Sequence, residues 1–319
     1  MKKILPLAIL LFVSSTARAE VLFRGDFETG DRSQWSELEG LTQRITVVSS
    51  PVGQGRFASR VELVHGDYAN SGCRSELVRG TPETEGTERF YAWSTMFDSS
   101  YPSANSWQVF TQFHHSGLGG SPPIEFDVYG EQVLLTTHGD HTLWFAPLVR
   151  GVWHDFVLRV RWSSTDGFIE LWYDGAKVLS QTASQTLYPG ETNYLKQGLY
   201  RDSSIVPTAA VFHDAMTVGT TLADVAPQLL GQPPPAPDGG TPGEAGSADA
   251  GSPGGTDAGT GVDGSPGSPA PSSPGNGAAP ARARGFPQGG CTSSGGSTSA
   301  AFLLIVLAAA LSRKRRLAR

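Results

Sequence analysis

Hydrophobic and polar residues alternate along much of the chain between residues 20 and 230. The clearest run is VWHDFVLRVRW at 152–162, where Val152, His154, Phe156, Leu158 and Val160 oppose Trp153, Asp155, Val157, Arg159 and Arg161. A period of two puts successive side chains on opposite faces of a strand. Similar runs, separated by turn residues, predict strands at 21–27, 44–49, 57–65, 74–79, 89–97, 107–114, 124–129 and 132–137. Further strands are predicted at 153–162, 168–173, 177–181, 195–201 and 210–218. Asp174-Gly175, inside WYDGAKV, predicts a tight hairpin turn. No convincing helical period interrupts the series. Thirteen strands at short spacing imply an all-β fold of two packed antiparallel sheets, a β-jelly roll or concanavalin A-like sandwich. In such folds a concave sheet offers a binding groove.

The pattern stops at both ends. Residues 1–19 have the three parts of a secretory signal: Lys2 and Lys3, an apolar run over 4–13, and Ala17-Arg18-Ala19 before the cut. The mature chain is expected to begin at Glu20. Residues 231–290 are rich in Pro, Gly, Ser and Ala and cannot bury enough apolar surface to offset their ordering entropy. They read as a flexible linker. Residues 291–319 hold Cys291, an apolar run at 300–311 and a basic cluster at 313–316. This order resembles a MYXO-CTERM-type sorting signal, which implies an extracellular domain tethered to the cell surface or outer membrane. A plain C-terminal anchor helix would likewise keep the domain outside the cytoplasm.

Residues 20–230 make one domain. Cys73 is its one cysteine, so no internal disulfide forms. The segment has 25 acidic and 14 basic side chains, a net of −11, and only Lys177 and Lys196 are lysines. No nucleic-acid partner is expected, and the domain is expected to be monomeric.

Three predicted strands carry polar residues that share faces. In CRSELVRG, Arg74 and Glu76 point the same way. In WQVFTQFHHSG, Gln108, Phe110, Gln112 and His114 form one face, and Trp107, Val109, Thr111 and Phe113 a more apolar one. In YLKQGLYR, Tyr194, Lys196, Gly198 and Tyr200 align, with Gly198 leaving a gap. Taken singly, these read as a surface ion pair, a structural histidine and cross-strand packing.

Together the motifs resemble those of polysaccharide lyases of the jelly-roll group. Arg74-Ser75-Glu76-Leu77 resembles the Arg-x-Glu-Leu motif of alginate lyases, Gln112-Phe113-His114 their Gln-x-His, and 194–200 their Tyr-x-Lys-x-Gly-x-Tyr. GDFETGD, SPPIEF and LKQGLYR are more similar to the heparin lyase I-like and glucuronan lyase branch. The alginate lyase motif places a second arginine four residues after the first. Here that position is Val78, and Arg79 follows with reversed parity, so Arg79 is expected to leave the groove unless a bulge re-aims it.

The resemblance implies β-elimination on a 4-linked uronic acid polymer. A base takes the proton at C5, and the 4-O bond then breaks. Arg74 and Gln112 would neutralise the carboxylate. His114 would be the base and Tyr200 the acid, or Tyr200 would do both. A cation beside the phenol would be needed for the second role, and Arg74 suits it better than Lys196. Glu76 would orient Arg74; Lys196, Glu76 and Tyr194 would line the substrate site. The net negative charge favours unsulfated polyuronates, glucuronan-like or alginate, over heparin. Catalysis requires no cofactor in this scheme. A structural calcium at Asp26 or Glu28 and Asp214 remains open.

Three other readings compete. A lectin-like carbohydrate-binding module on the same sandwich would need aromatic platforms and no acid or base. A glycoside hydrolase would need a facing carboxylate pair, for which Glu125 and Asp127 are the candidates. Zinc could use His114, His115, His138 and His141, although HGDH at 138–141 reads better as a loop.

Overall fold

The computed structural model describes residues 20–231 other than 118. The predicted signal, the linker and the segment with Cys291 lie outside the described residues, as does the apolar run 300–311. Among the described residues, no helix is long and apolar enough to cross a membrane.

Among the described residues, fifteen strands form two antiparallel sheets. The first contains β1 (Val21–Gly25), β3 (Ile45–Val48), β4 (Ala58–Leu63), β6 (Glu88–Phe97), β11 (Trp153–Arg161), β12 (Phe168–Tyr173), β13 (Ala176–Ala183) and β15 (Ala209–Gly219). Its order is β13-β12-β11-β6-β15-β4-β3, with β1 also paired to β15. The second contains β2 (Glu37–Gly40), β5 (Cys73–Glu83), β7 (Gln108–His115), β8 (Ile124–Tyr129), β9 (Gln132–Thr137), β10 (His141–Pro147) and β14 (Asn193–Arg201). Its order is β10-β9-β8-β7-β14-β5-β2. All thirteen predicted strands form. Asp174 and Gly175 both adopt positive φ, at 48° and 80°, in the tight β12–β13 turn. The two strands missing from the sequence reading are β2 and β10.

The alternating apolar faces meet between the sheets. Trp93 on β6 stacks on Phe156 of β11, with ring centroids 5.1 Å apart, and meets the edge of Phe126 on β8 at 5.0 Å. Cys73 is buried and free.

The inner layer also holds charge. Arg79, on the opposite face of β5 from Arg74 and Glu76, bonds Glu83 at 2.8 Å, and Glu83 also meets Arg89 at 3.1 Å. Glu83 is 2% exposed. Removing one partner strands buried charge, so Glu83→Gln should cost about 3–5 kcal/mol of stability. Denaturant unfolding checks this; a variant within 1 kcal/mol of wild type, well under that range, would mean the arginines find other partners.

One strand departs from its sequence reading. Simple alternation puts Phe110 beside Gln112 and His114. Instead, the register of β7 against β8 shifts between Val109 and Thr111. This bulge turns Phe110 into the core, where its ring lies 5.2 Å from that of Phe97. Gln112 and His114 keep the outer face, and Phe113 packs inward against Tyr91 at 4.7 Å.

Candidate active site

The three motif strands are neighbours in the second sheet. On β14, Lys196 lies opposite Gln112 of β7, and Tyr194 opposite His114. On its other side, Gly198 pairs with Glu76 and Tyr200 with Arg74 of β5. The polar faces therefore merge into one strip along the outside of the sheet.

The middle of the strip is tightly bonded and nearly closed to solvent. The Gln112 amide donates to Glu76, which is 1% exposed. Arg74 lies 3.6 Å from the same carboxylate. Burial raises the Glu76 pKa, against the lowering influence of Lys196, Arg74 and Gln112. Burial opposes the charge on Arg74, but Glu76, Tyr200 and Glu39 together hold its pKa above the ordinary value.

Glu39 on edge strand β2 was not anticipated from the sequence. It sits opposite Glu76 in register and accepts from Lys196 Nζ at 2.7 Å, with Arg74 at 3.5 Å. Gly40 makes this approach feasible, since a Cβ there would strike the Arg74 carbonyl and come 2.6 Å from Ser75 Cα. The signal in SELEG was a glutamate beside a glycine, too short a pattern to mark a strand.

The two ends of the strip are more open. At one, His114 is half-buried and its Nδ1 bonds the His115 carbonyl at 2.7 Å. That carbonyl can only accept, so Nδ1 carries the proton and Nε2 is the basic nitrogen. Burial, then Lys196, lowers the His114 pKa to about 4. The Tyr194 ring lies 5.6 Å from the His114 ring. His115 bonds Glu191 at 2.6 Å, an anchor for the His114 backbone that sequence reasoning missed.

At the other end, the Arg74 guanidinium lies over the Tyr200 ring, 3.7 Å from its centroid, and Trp107 meets that ring edge-on at 4.7 Å. Tyr200 faces Val109 on β7. Val109 is five residues from His114, about 17 Å along an extended strand. His114 and Tyr200 therefore occupy opposite ends, with Gln112, Lys196 and Glu76 between them.

Gly198 differs from its sequence reading. A Cβ there would collide with the Ser75 carbonyl and lie 2.7 Å from Glu76 Cα, so the gap that the glycine leaves is taken up by the neighbouring strand.

The hydrolase candidates Glu125 and Asp127 are adjacent outward positions of β8, 1% and 0% exposed, and both accept from the Thr136 hydroxyl at 3.2 Å. They do not face each other across an open cleft. Among the described residues, no group of three or more His, Cys, Asp or Glu could hold a metal ion. His138 bonds Tyr188 and the Gln185 carbonyl instead. The carboxylates weighed for calcium accept backbone amides: Asp214 from Gly53 and Gln54, Glu28 from Arg56 and Phe57, and Asp26 from Glu28.

The fold places the chain among the β-jelly-roll sandwiches. It belongs to the polysaccharide lyase family, whose model matches residues 27–217, more than half of the chain. Among solved structures it is similar to the endo-beta-1,4-glucuronan lyase from the fungus Trichoderma reesei. That likeness has 22% identity and a TM-score of 0.54, and covers 65% of this chain and 98% of that one. It is also similar to alginate lyase vAL-1 from Chlorella virus, with 8% identity, a TM-score of 0.45, and coverage of 63% and 100%. The catalytic domain of the glycoside hydrolase family 131 protein from Coprinopsis cinerea gives 15% identity, a TM-score of 0.49, and coverage of 62% and 93%. The likeness to the glucuronan lyase establishes the shared sandwich. No curated protein matches the chain.

Proposed function

We propose that the chain is a secreted, surface-tethered lyase that cleaves an unsulfated, 4-linked polyuronate by β-elimination. The observation that carries this is the order of groups on one strip: a neutral histidine at one end, amide and cationic donors in the middle, and a phenol under a guanidinium at the other. Gln112 and Arg74 hold the uronate carboxylate as negative charge builds on it. His114 Nε2 takes the C5 proton. Tyr200, with the Arg74 guanidinium 3.7 Å from its ring centroid, protonates the departing oxygen. The C5 proton and the departing 4-O oxygen lie on neighbouring carbons, so the imidazole and the phenol must lean toward one another over a single uronate ring. The tether is supported by the order of segments outside the domain, and the preference for unsulfated chains by the net charge of −11 over 20–230. Membership of the family and the likeness to a glucuronan lyase support this substrate class.

The test is ultraviolet absorbance during incubation with glucuronan, alginate, hyaluronan and heparin. A lyase generates a conjugated double bond; a lectin generates none, and a hydrolase yields reducing ends without new absorbance. No absorbance with any polyuronate would sink the reading.

A second assignment within the same reaction has its own support. Tyr194 lies nearer His114 than Tyr200 does, and Lys196 is 5.2 Å from the Tyr194 ring centroid. Burial nevertheless raises the Tyr194 pKa despite Lys196. Tyr200→Phe should lower kcat by about 10²-fold or more, and Tyr194→Phe by less than about tenfold. The reverse order would transfer the acid role to Tyr194.

A further inference from the structure

Four charged side chains fill the middle of the strip, two of each sign: Arg74 and Lys196 against Glu39 and Glu76. The two carboxylates are not equivalent. Glu76 lies beneath, held by Gln112 and Arg74 on a strand paired on both sides. Glu39 is the outermost member, with 24% of its side chain exposed against 2% for Lys196 and 10% for Arg74. A single oxygen, Oε2, meets both cations. Its strand β2 is the edge of the sheet. The Glu39 carboxylate caps Lys196 Nζ at 2.7 Å, so an incoming anion competes with Glu39 for that cation.

We propose that Glu39 determines specificity by standing in for a substrate carboxylate between Lys196 and Arg74. This inference rests on the lyase reading above. A uronate carboxylate has the charge and shape of the Glu39 carboxylate, so it can replace that group one for one. Glu39 then swings into water while the strip keeps its charge balance. A sulfated chain brings additional anions, for which this exchange frees no further cation. Glu39 thus lowers affinity for every polyanion and penalises the most highly charged ones most, selecting by repulsion as well as attraction.

The test measures binding of glucuronan, alginate and heparin at low and high salt, in a Tyr200→Phe background so that the chain is not cut. Glu39→Gln preserves the shape and removes the charge. It should tighten polyuronate binding about tenfold at low salt, tighten heparin binding more, and lose much of this gain as salt screens the site. Glu39→Asp keeps the charge and should retain the wild-type ranking of polymers. With Tyr200 intact, so that the polymer is cleaved, KM should fall with Glu39→Gln. Unchanged or weaker binding, or a gain that is equal at both salts, would overturn the proposal. If the wild type cleaves a polyuronate and Glu39→Gln binds it no more tightly, only this proposal fails. If the wild type neither binds nor cleaves any polyuronate, the lyase reading fails and this proposal fails with it.

Discussion

His114→Ala is expected to lower kcat/KM on a cleaved polyuronate by about 10²–10⁴-fold, the usual contribution of a positioned general base. The wild-type acid limb should lie near pH 4, because burial and Lys196 hold His114 there. An ordinary histidine would place that limb about 2.5 pH units higher. Initial rates across pH 3–8, followed by absorbance, check both claims. A limb near 6.5 in the wild type, or a variant with full activity, would remove His114 from the role of base.

The same depression affects stability. His114 and His213 both have pKa values lowered to about 4 from 6.5, burial being the first cause in each. Between pH 6.5 and 4 the unfolded chain binds protons that the folded one refuses, so stability is present above 6.5 and lost as pH falls through 4. Each histidine contributes on the order of 3 kcal/mol when the shift is fully expressed. In His114→Ala, unfolding midpoints should therefore depend less on pH across this window than in the wild type.

Gly198→Ala is expected to be severe for a different reason. The atoms that its Cβ would meet, the Ser75 carbonyl and Glu76 Cα, are backbone, so no side chain can swing away. Accommodating the methyl means parting β14 from β5, and overpacking of this kind costs about 1–3 kcal/mol or more. The same seam aligns Tyr200 with Arg74, and the Gly198 carbonyl meets His213 Nε2 at 3.0 Å. Activity should therefore fall together with the denaturation midpoint. A variant with wild-type stability and rate would show that the seam yields cheaply.

Motifs show in a sequence only as far as the forces behind them are local. CRSEL, QFHH and YLKQGLYR could be assigned to strands because alternation is local, and their outward residues could be grouped for the same reason. Phe110 could not be placed, because the bulge on β7 depends on its pairing with β8. Strand β2 was hidden in a four-residue stretch whose exposed and half-exposed positions carry no apolar alternation. Strand β10 begins at His141, inside the short polar HGDH stretch, whose composition is that of a loop. Glu39 went unnoticed for the same reason as its strand: its meaning depends on Lys196, 157 positions away.

Local pattern is enough to set the two-sheet class, the hairpin at Asp174-Gly175, the reversed parity of Arg79 and the side chains on the outward faces. These follow from a period of two and from turn chemistry, which act over a few residues. Tertiary structure alone decided that Arg74 lies on Tyr200, that His114 stands beside Tyr194 and far from Tyr200, and that Glu39 occupies the cations. Those outcomes depend on strand order and register, which are set by packing of the whole sandwich and by backbone clearances such as Gly40 and Gly198.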